Sequence, residues 1–98
     1  MNFINFKEYK PEEPAFGENA LYIKDEANND WYDVQSQLTK KYIFAYETAT
    51  GVIRCISDDA SKMYPVNLSV SEIDEIPDGF SIDGSWLYSD GSIVKVVI

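Results

Sequence analysis

The side chains of this sequence that could do chemistry are its carboxylates and a single cysteine, because histidine is absent. Without histidine the commonest general base is missing, and with it the Ser-His and Cys-His nucleophile pairs. A structural zinc site would need Cys or His ligands beyond Cys55. Paired carboxylates could serve a glycosidase, which needs two of them converging on one bond. The adjacent pairs Asp58-Asp59 and Asp74-Glu75 do not offer this, since neighbours in a strand point to opposite faces. Asp25 to Asp30 resembles the start of a calcium loop. It has Asp30 where such a loop needs glycine and Ser36 where it needs glutamate, so it reads as a turn. The glycines form no GxGxxG or phosphate-loop series. The expectation is therefore a protein that is not an enzyme, with no catalytic residue, no cofactor and no metal ligand.

Cys55 lies within an apolar strand and reads as a small buried hydrophobe. Trp86 belongs to a hairpin that needs a buried face, so it is expected in the core. Trp31 follows a polar loop and is open between core residue and interface anchor.

These residues need elements to position them, and the stretch from Met63 to Val94 carries most of the pattern. Val66, Leu68 and Val70 alternate with Asn67 and Ser69, the period of a strand with one buried face. The parity slips at Glu72 and Ile73, which suggests a bulge or a change of partner. Pro77-Asp78-Gly79 predicts a sharp turn, and Asp83-Gly84 a second. Asp90-Gly91 between β-forming residues predicts a hairpin that sets Trp86, Leu87 and Tyr88 against Ile93 and Val94.

Upstream, residues 1–19 are broken by Pro11, Pro14 and Gly17 and are expected to form an extended, irregular N-terminal segment. A single strand-rich domain is expected over residues 20–98. Ala20 to Lys24 reads as a strand that pairs across the loop 25–30 with the chain at Trp31. Residues 31–40 read as a strand end followed by a helical turn. Residues 41–47 (KYIFAYE) put Tyr42, Phe44 and Tyr46 on one strand face and Ile43 and Ala45 on the other, both at least partly covered. Thr48 to Gly51 turns this strand back into Val52 to Ser57, and Ser57-Asp58-Asp59 starts a short turn that Pro65 ends. The fold class expected is mainly β or α+β: a small single domain of antiparallel hairpins with little helix.

Bulk properties agree with one domain. Ninety-eight residues bury about two-thirds of their unfolded surface, enough for one modest core. The net charge is −9, from 17 acidic and 8 basic residues. The cations are scattered, so neither nucleic acid nor an anionic membrane is an expected partner. No apolar run reaches transmembrane length, and the start MNFINFKEYK has no positive, then apolar, leader pattern, so the expected location is the cytoplasm.

The order of these features resembles a known family. NFKEYKPEEPAFGENALYI, then NNDWY, then a tyrosine-rich hairpin, then PVNLSVSEIDEIPDGF and GSWLYSDGSIV together look like the tail fibre assembly proteins of tailed bacteriophages. The similarity covers nearly the whole chain, and its most specific parts are Asn29-Asp30-Trp31-Tyr32, Ile76-Pro77-Asp78-Gly79-Phe80 and Gly84-Ser85-Trp86 leading into Asp90-Gly91. The resemblance implies a chaperone that assists folding and trimerisation of the receptor-binding C-terminal region of a fibre in the cytoplasm of the bacterial host, some members staying on the virion. Members are commonly longer, with a part beyond the region matched here, which ends at Ile98. The alternative is a small fibre or baseplate module of the virion that contacts carbohydrate, or another tail protein, through Trp31 and nearby tyrosines. Either way the contact surface is sought among aromatics in loop-like sequence: Phe3, Phe6, Tyr9, Phe16, Trp31 and Tyr32.

Overall fold

The alternation in Tyr42-Ile43-Phe44-Ala45-Tyr46 gives one strand two apolar faces, and the fold is built on covering both. The computed structural model describes residues 2–10, 12 and 22–96. In chain order its elements are β1 (Asn2–Phe3), β2 (Lys7–Glu8), β3 (Ile23–Lys24), the short helix α1 (Trp31–Val34), β4 (Tyr42–Tyr46), β5 (Ile53–Ser57), β6 (Ser69–Ile73), β7 (Trp86–Ser89) and β8 (Ser92–Lys95). A 3-10 turn continues α1 over Gln35–Gln37, and another covers Ala60–Lys62. The main sheet is antiparallel with strand order β1-β6-β4-β5, and β2-β3 and β7-β8 form two small antiparallel ribbons. The protein is thus mainly β with one short helix, as its alternating runs and turn residues led one to expect.

Each face of β4 carries its own core. Ile43 and Ala45 join Val70 of β6, Phe3, Phe6, Ile23, Trp31, Val34, Leu38, Ala60 and Met63 in one cluster. Phe44 and Tyr46 join Ile53, Trp86 and Ile93 in the other. A buried side chain of this size contributes roughly 1.5–3 kcal/mol relative to its exposed state, so each face is a substantial share of the stability. Trp86 lies in the second cluster. Cys55 is half-buried and packs against the first rather than lying fully inside it.

Parity explains two local features. Ile53 and Ile56 are three residues apart yet both serve the second core. The pairing Ala45↔Cys55 is followed by Tyr46↔Ile53, so a bulge at Arg54 absorbs the extra residue. Arg54 points outward to an ion pair with Glu47. In β6, by contrast, the expected bulge is absent and the register with β4 is continuous from Ser69 to Ile73. Glu72 occupies the parity of Val70 and is buried because its carboxylate accepts the backbone amides of Thr39 and Lys40 at 3.1 and 2.9 Å. The strand also starts later than Val66. Asn67 has φ +63°, and the amide of Leu68 bonds the carbonyl of Pro65, so residues 65–68 turn and the ladder begins at Ser69.

Of the N-terminal segment, the described residues 2–10 dock on the domain, with two short strands in otherwise irregular chain. Phe3 pairs with Val70, the Phe6 amide bonds the Leu68 carbonyl at 2.8 Å, and the Asn67 amide bonds the Phe6 carbonyl at 2.7 Å. Because β1 and β2 are two residues each, their alternation was too short to register as strands. β3 likewise pairs with β2, while toward Trp31 it makes only the bridge Lys24↔Asp30. At the far end Asp90 and Gly91, with φ +50° and +82°, form the two-residue turn of the β7-β8 hairpin. No helix among the described residues is long and apolar enough to cross a membrane.

Candidate functional site

Asp30 organises the surface where the loop-borne tyrosines meet. As N-cap of α1 it accepts the Tyr32 amide on Oδ1 at 2.8 Å, which satisfies one of the donors a helix start leaves open. Its Oδ2 accepts the hydroxyl of Tyr9, which leaves β2 toward the same end of the molecule. Tyr22 fills the space behind. Its ring lies 6.3 Å from that of Tyr9 and 5.6 Å from that of Tyr32, both edge-on. Lys24, two residues on, places Nζ 4.8 Å from the centre of the Tyr9 ring. The Asp25 carboxylate holds the intervening loop in shape by accepting the amides of Ala27 and Asn29 and the Asn29 side chain.

Tyr64 is a further tyrosine at the surface. It is 38% exposed, and the main-chain carbonyl of the residue before it, Met63, accepts the indole of Trp31, the residue before Tyr32. The surroundings make the Tyr9 and Tyr64 phenols weaker acids. Partial burial of Tyr9, its hydrogen bond to Asp30 and the charges of Asp30 and Asp33 push its hydroxyl up to about 12. Tyr64 is raised in the same direction, by desolvation first and by Glu8 second. At neutral pH the face offers neutral rings and hydroxyls bordered by carboxylates, which suits binding through ring faces and hydrogen bonds.

Of the six residues expected to contact a partner, five are described, two of them partly exposed and three buried. Tyr9 and Tyr32 are partly exposed and meet on this face. Phe3, Phe6 and Trp31 are core residues at 6%, 0% and 1% exposure and are not available to a partner. The reason is their partners. Phe3 lies on β1 facing the Val70 side, Phe6 meets the Trp31 ring edge-on at 5.5 Å, and the Trp31 indole donates to the Met63 carbonyl at 3.1 Å. A sugar cannot stack on a Trp31 so enclosed. Phe16 lies outside the described residues. The sequence reasoning missed Tyr22, Lys24 and Tyr64; the only signal for Tyr64 was its position next to Pro65 in a segment too irregular to be a strand.

A concavity of about 430 Å³ lies between the 3-10 turn after α1 and the one after β5. Leu38, Ile43 and Ala60 line it together with the polar Ser36, Lys40 and Asp58. Asp59 is already engaged there, capping the turn through the Ser61 amide and hydroxyl. Among the described residues no group of three or more side chains able to ligate a metal comes together. No protein-family model matches the chain, and no curated protein matches it.

Proposed function

We propose that the protein is a non-enzymatic binding module that acts as an assembly chaperone for a bacteriophage tail fibre, in the cytoplasm of the bacterial host. The reading rests on the collinear order of the NNDWY, IPDGF and GSW-to-DG motifs, and one surface feature carries it further. Tyr9 and Tyr32, brought together through Tyr22 and Asp30, and the exposed Tyr64 offer aromatic surface on a β scaffold. Tyrosine suits such contacts because a large ring is presented with few rotatable bonds to freeze.

The task is physically modest. An unassembled fibre subunit exposes strand edges and apolar surface until its partners arrive, and such surfaces aggregate. A small acidic domain that covers them reversibly keeps the subunit soluble, and no energy source is required. Of the two ways to do so, aromatic contact is favoured here over strand addition on β5. That edge carries the Arg54 bulge, and β7 already meets its start through the Val52↔Leu87 bridge and the bond from the Tyr88 amide to the Gly51 carbonyl, so little straight edge is left.

The test is co-expression with the C-terminal segment of the fibre encoded beside this gene, followed by affinity capture. Co-purification and a soluble, trimeric fibre are the expected result. A fibre that is equally soluble and trimeric alone, with nothing captured, removes the chaperone reading.

A further inference from the structure

We propose that the outer edge of β8 takes up an extended segment of a partner polypeptide as an added strand. The inference deepens the binding role given above and rests on it for the existence of a partner. The hairpin ladder determines which groups that edge offers. Trp86 pairs with Lys95, Leu87 with Val94 and Tyr88 with Ile93, and the Val96 amide bonds the Ser85 carbonyl at 2.6 Å. Bonded and non-bonded pairs alternate along an antiparallel ladder, so Leu87↔Val94 is bonded and Tyr88↔Ile93 is not. The Tyr88 amide agrees, since it turns away from β8 to the Gly51 carbonyl at 2.9 Å. By the same alternation the N–H and C=O groups of Ile93 and Lys95 are directed away from β7. The outer edge of β7 is spent on the chain before β5, through Gly51 and the Val52↔Leu87 bridge, whereas β8 pairs with no described strand besides β7.

The usual guards of a strand edge are missing on β8. The register with β7 runs unbroken from Trp86↔Lys95 to Ser89↔Ser92, so no bulge twists the strand away, and residues 92–98 contain no proline. Its one charged residue, Lys95, places Nζ 5.9 Å from the centre of the Trp86 ring, on the core side of the hairpin. On the opposite face Val94, 42% exposed, stands across from the half-buried Leu87, and neither belongs to a core cluster. An added strand gains main-chain bonds at Ile93 and Lys95 and apolar contact at Val94, the pattern of recognition by strand addition. Charge selects among strands. At net charge −9 a second copy of the chain, like any acidic segment, is repelled, so the occupant is a neutral or basic segment with apolar residues at alternate positions.

The experiment follows amide hydrogen exchange of the full chain, residue by residue, with a short blocked peptide of alternating valine and threonine that carries lysine at each end. In the free chain Ile93 and Lys95 should exchange quickly and Val94 slowly. The peptide should slow Ile93 and Lys95 roughly tenfold once about nine-tenths of the chain is bound, and the same peptide with every amide N-methylated should not. Lys95→Pro removes an outward donor and no hairpin bond. It should lower the affinity roughly two- to tenfold, the scale of one lost hydrogen bond, whereas Lys95→Ala keeps the donor and the binding. Should proline unfold the hairpin, the two peptides alone decide. Slow exchange of Ile93 and Lys95 in the free chain, slowing that grows with chain concentration as a dimer forms, or no difference between the peptides overturns the proposal. Fibre capture separates the two ideas. Peptide added on β8 with no fibre captured sinks the tail fibre reading alone, while a fibre captured equally by the parent and by folded Lys95→Pro sinks this edge alone.

Discussion

The Trp31 indole donates to the main-chain carbonyl of Met63 at 3.1 Å, tying the helix α1 to the chain before Pro65. The core and the candidate site are adjacent in sequence here, because Trp31, only 1% exposed, directly precedes the partly exposed Tyr32.

Replacing that ring should therefore damage both. Trp31→Phe leaves the Met63 carbonyl without its donor at a cost of about 1–3 kcal/mol, and the smaller ring adds a void beside Phe6. Trp31→Ala should cost about 3–5 kcal/mol, a large part of the roughly 5–15 kcal/mol typical of a folded domain. Urea unfolding followed by circular dichroism gives both values. A Trp31→Ala protein as stable as the parent would mean that the ring is not the keystone described.

Gly51 is the joint between the main sheet and the β7-β8 hairpin. Its φ is +82°, its carbonyl accepts the Tyr88 amide at 2.9 Å, and a Cβ there would come within 2.8 Å of the Tyr88 carbonyl oxygen. Gly84 has φ +87° and open space around a Cβ. Alanine at Gly84 should cost only the left-handed backbone penalty, about 1 kcal/mol, while Gly51→Ala should cost at least about twice that because backbone must move as well. Comparing urea midpoints of the two variants isolates the contact, and equal midpoints would refute it.

Glu72 ties β6 to the loop before β4. Glu72→Ala strands the amides of Thr39 and Lys40 and should lose about 1–3 kcal/mol. Glu72→Gln keeps an acceptor oxygen and should lose less. Amide hydrogen exchange at residues 39 and 40 reads the effect directly, with faster exchange in the alanine variant than in the glutamine one. Identical exchange in all three proteins would show that the carboxylate does not hold the loop.

Alkaline conditions should weaken the fold through Tyr9. Its hydroxyl is raised from 10.0 to about 12 by partial burial, by the bond to Asp30 and by nearby negative charge. The unfolded chain ionises first, so the stabilisation is complete below pH 10 and disappears as pH climbs through 12. Burial pushes Tyr46 and Tyr64 upward too, which adds to the same trend. Ultraviolet absorbance should show Tyr9 among the last tyrosines to ionise, and Tyr9→Phe should remove that late step and flatten stability between pH 10 and 12. An unchanged titration curve in Tyr9→Phe would contradict the assignment.

The elements that were legible in the sequence are those in which a pattern repeats. The two-faced alternation of Tyr42 to Tyr46, the turn back into Val52 to Ser57, and Asp90-Gly91 between β-formers all describe what the chain does. Short elements escaped, since two residues of β1 cannot show a period and four residues of α1 barely one turn. There the deciding signals were single side chains, Asp30 as a cap and Asn67 with its positive φ. The candidate site was half legible. Tyr9 and Tyr32 could be picked as aromatics beside loops, but nothing local distinguishes them from Phe3, Phe6 and Trp31, whose burial is set by partners far along the chain. Trp31 joins Met63 through a hydrogen bond spanning 32 positions, a relation that exists only in the folded state.

The measurement that bears most directly on the central claim is the yield of soluble trimer of the neighbouring fibre's C-terminal segment, expressed with the parent chain, with Tyr32→Ala and Tyr64→Ala combined, and without it. The account predicts a high yield with a captured complex, a reduced yield with the folded double variant, and aggregate when the chain is absent. Equal trimer in all three, with no complex recovered, would contradict it.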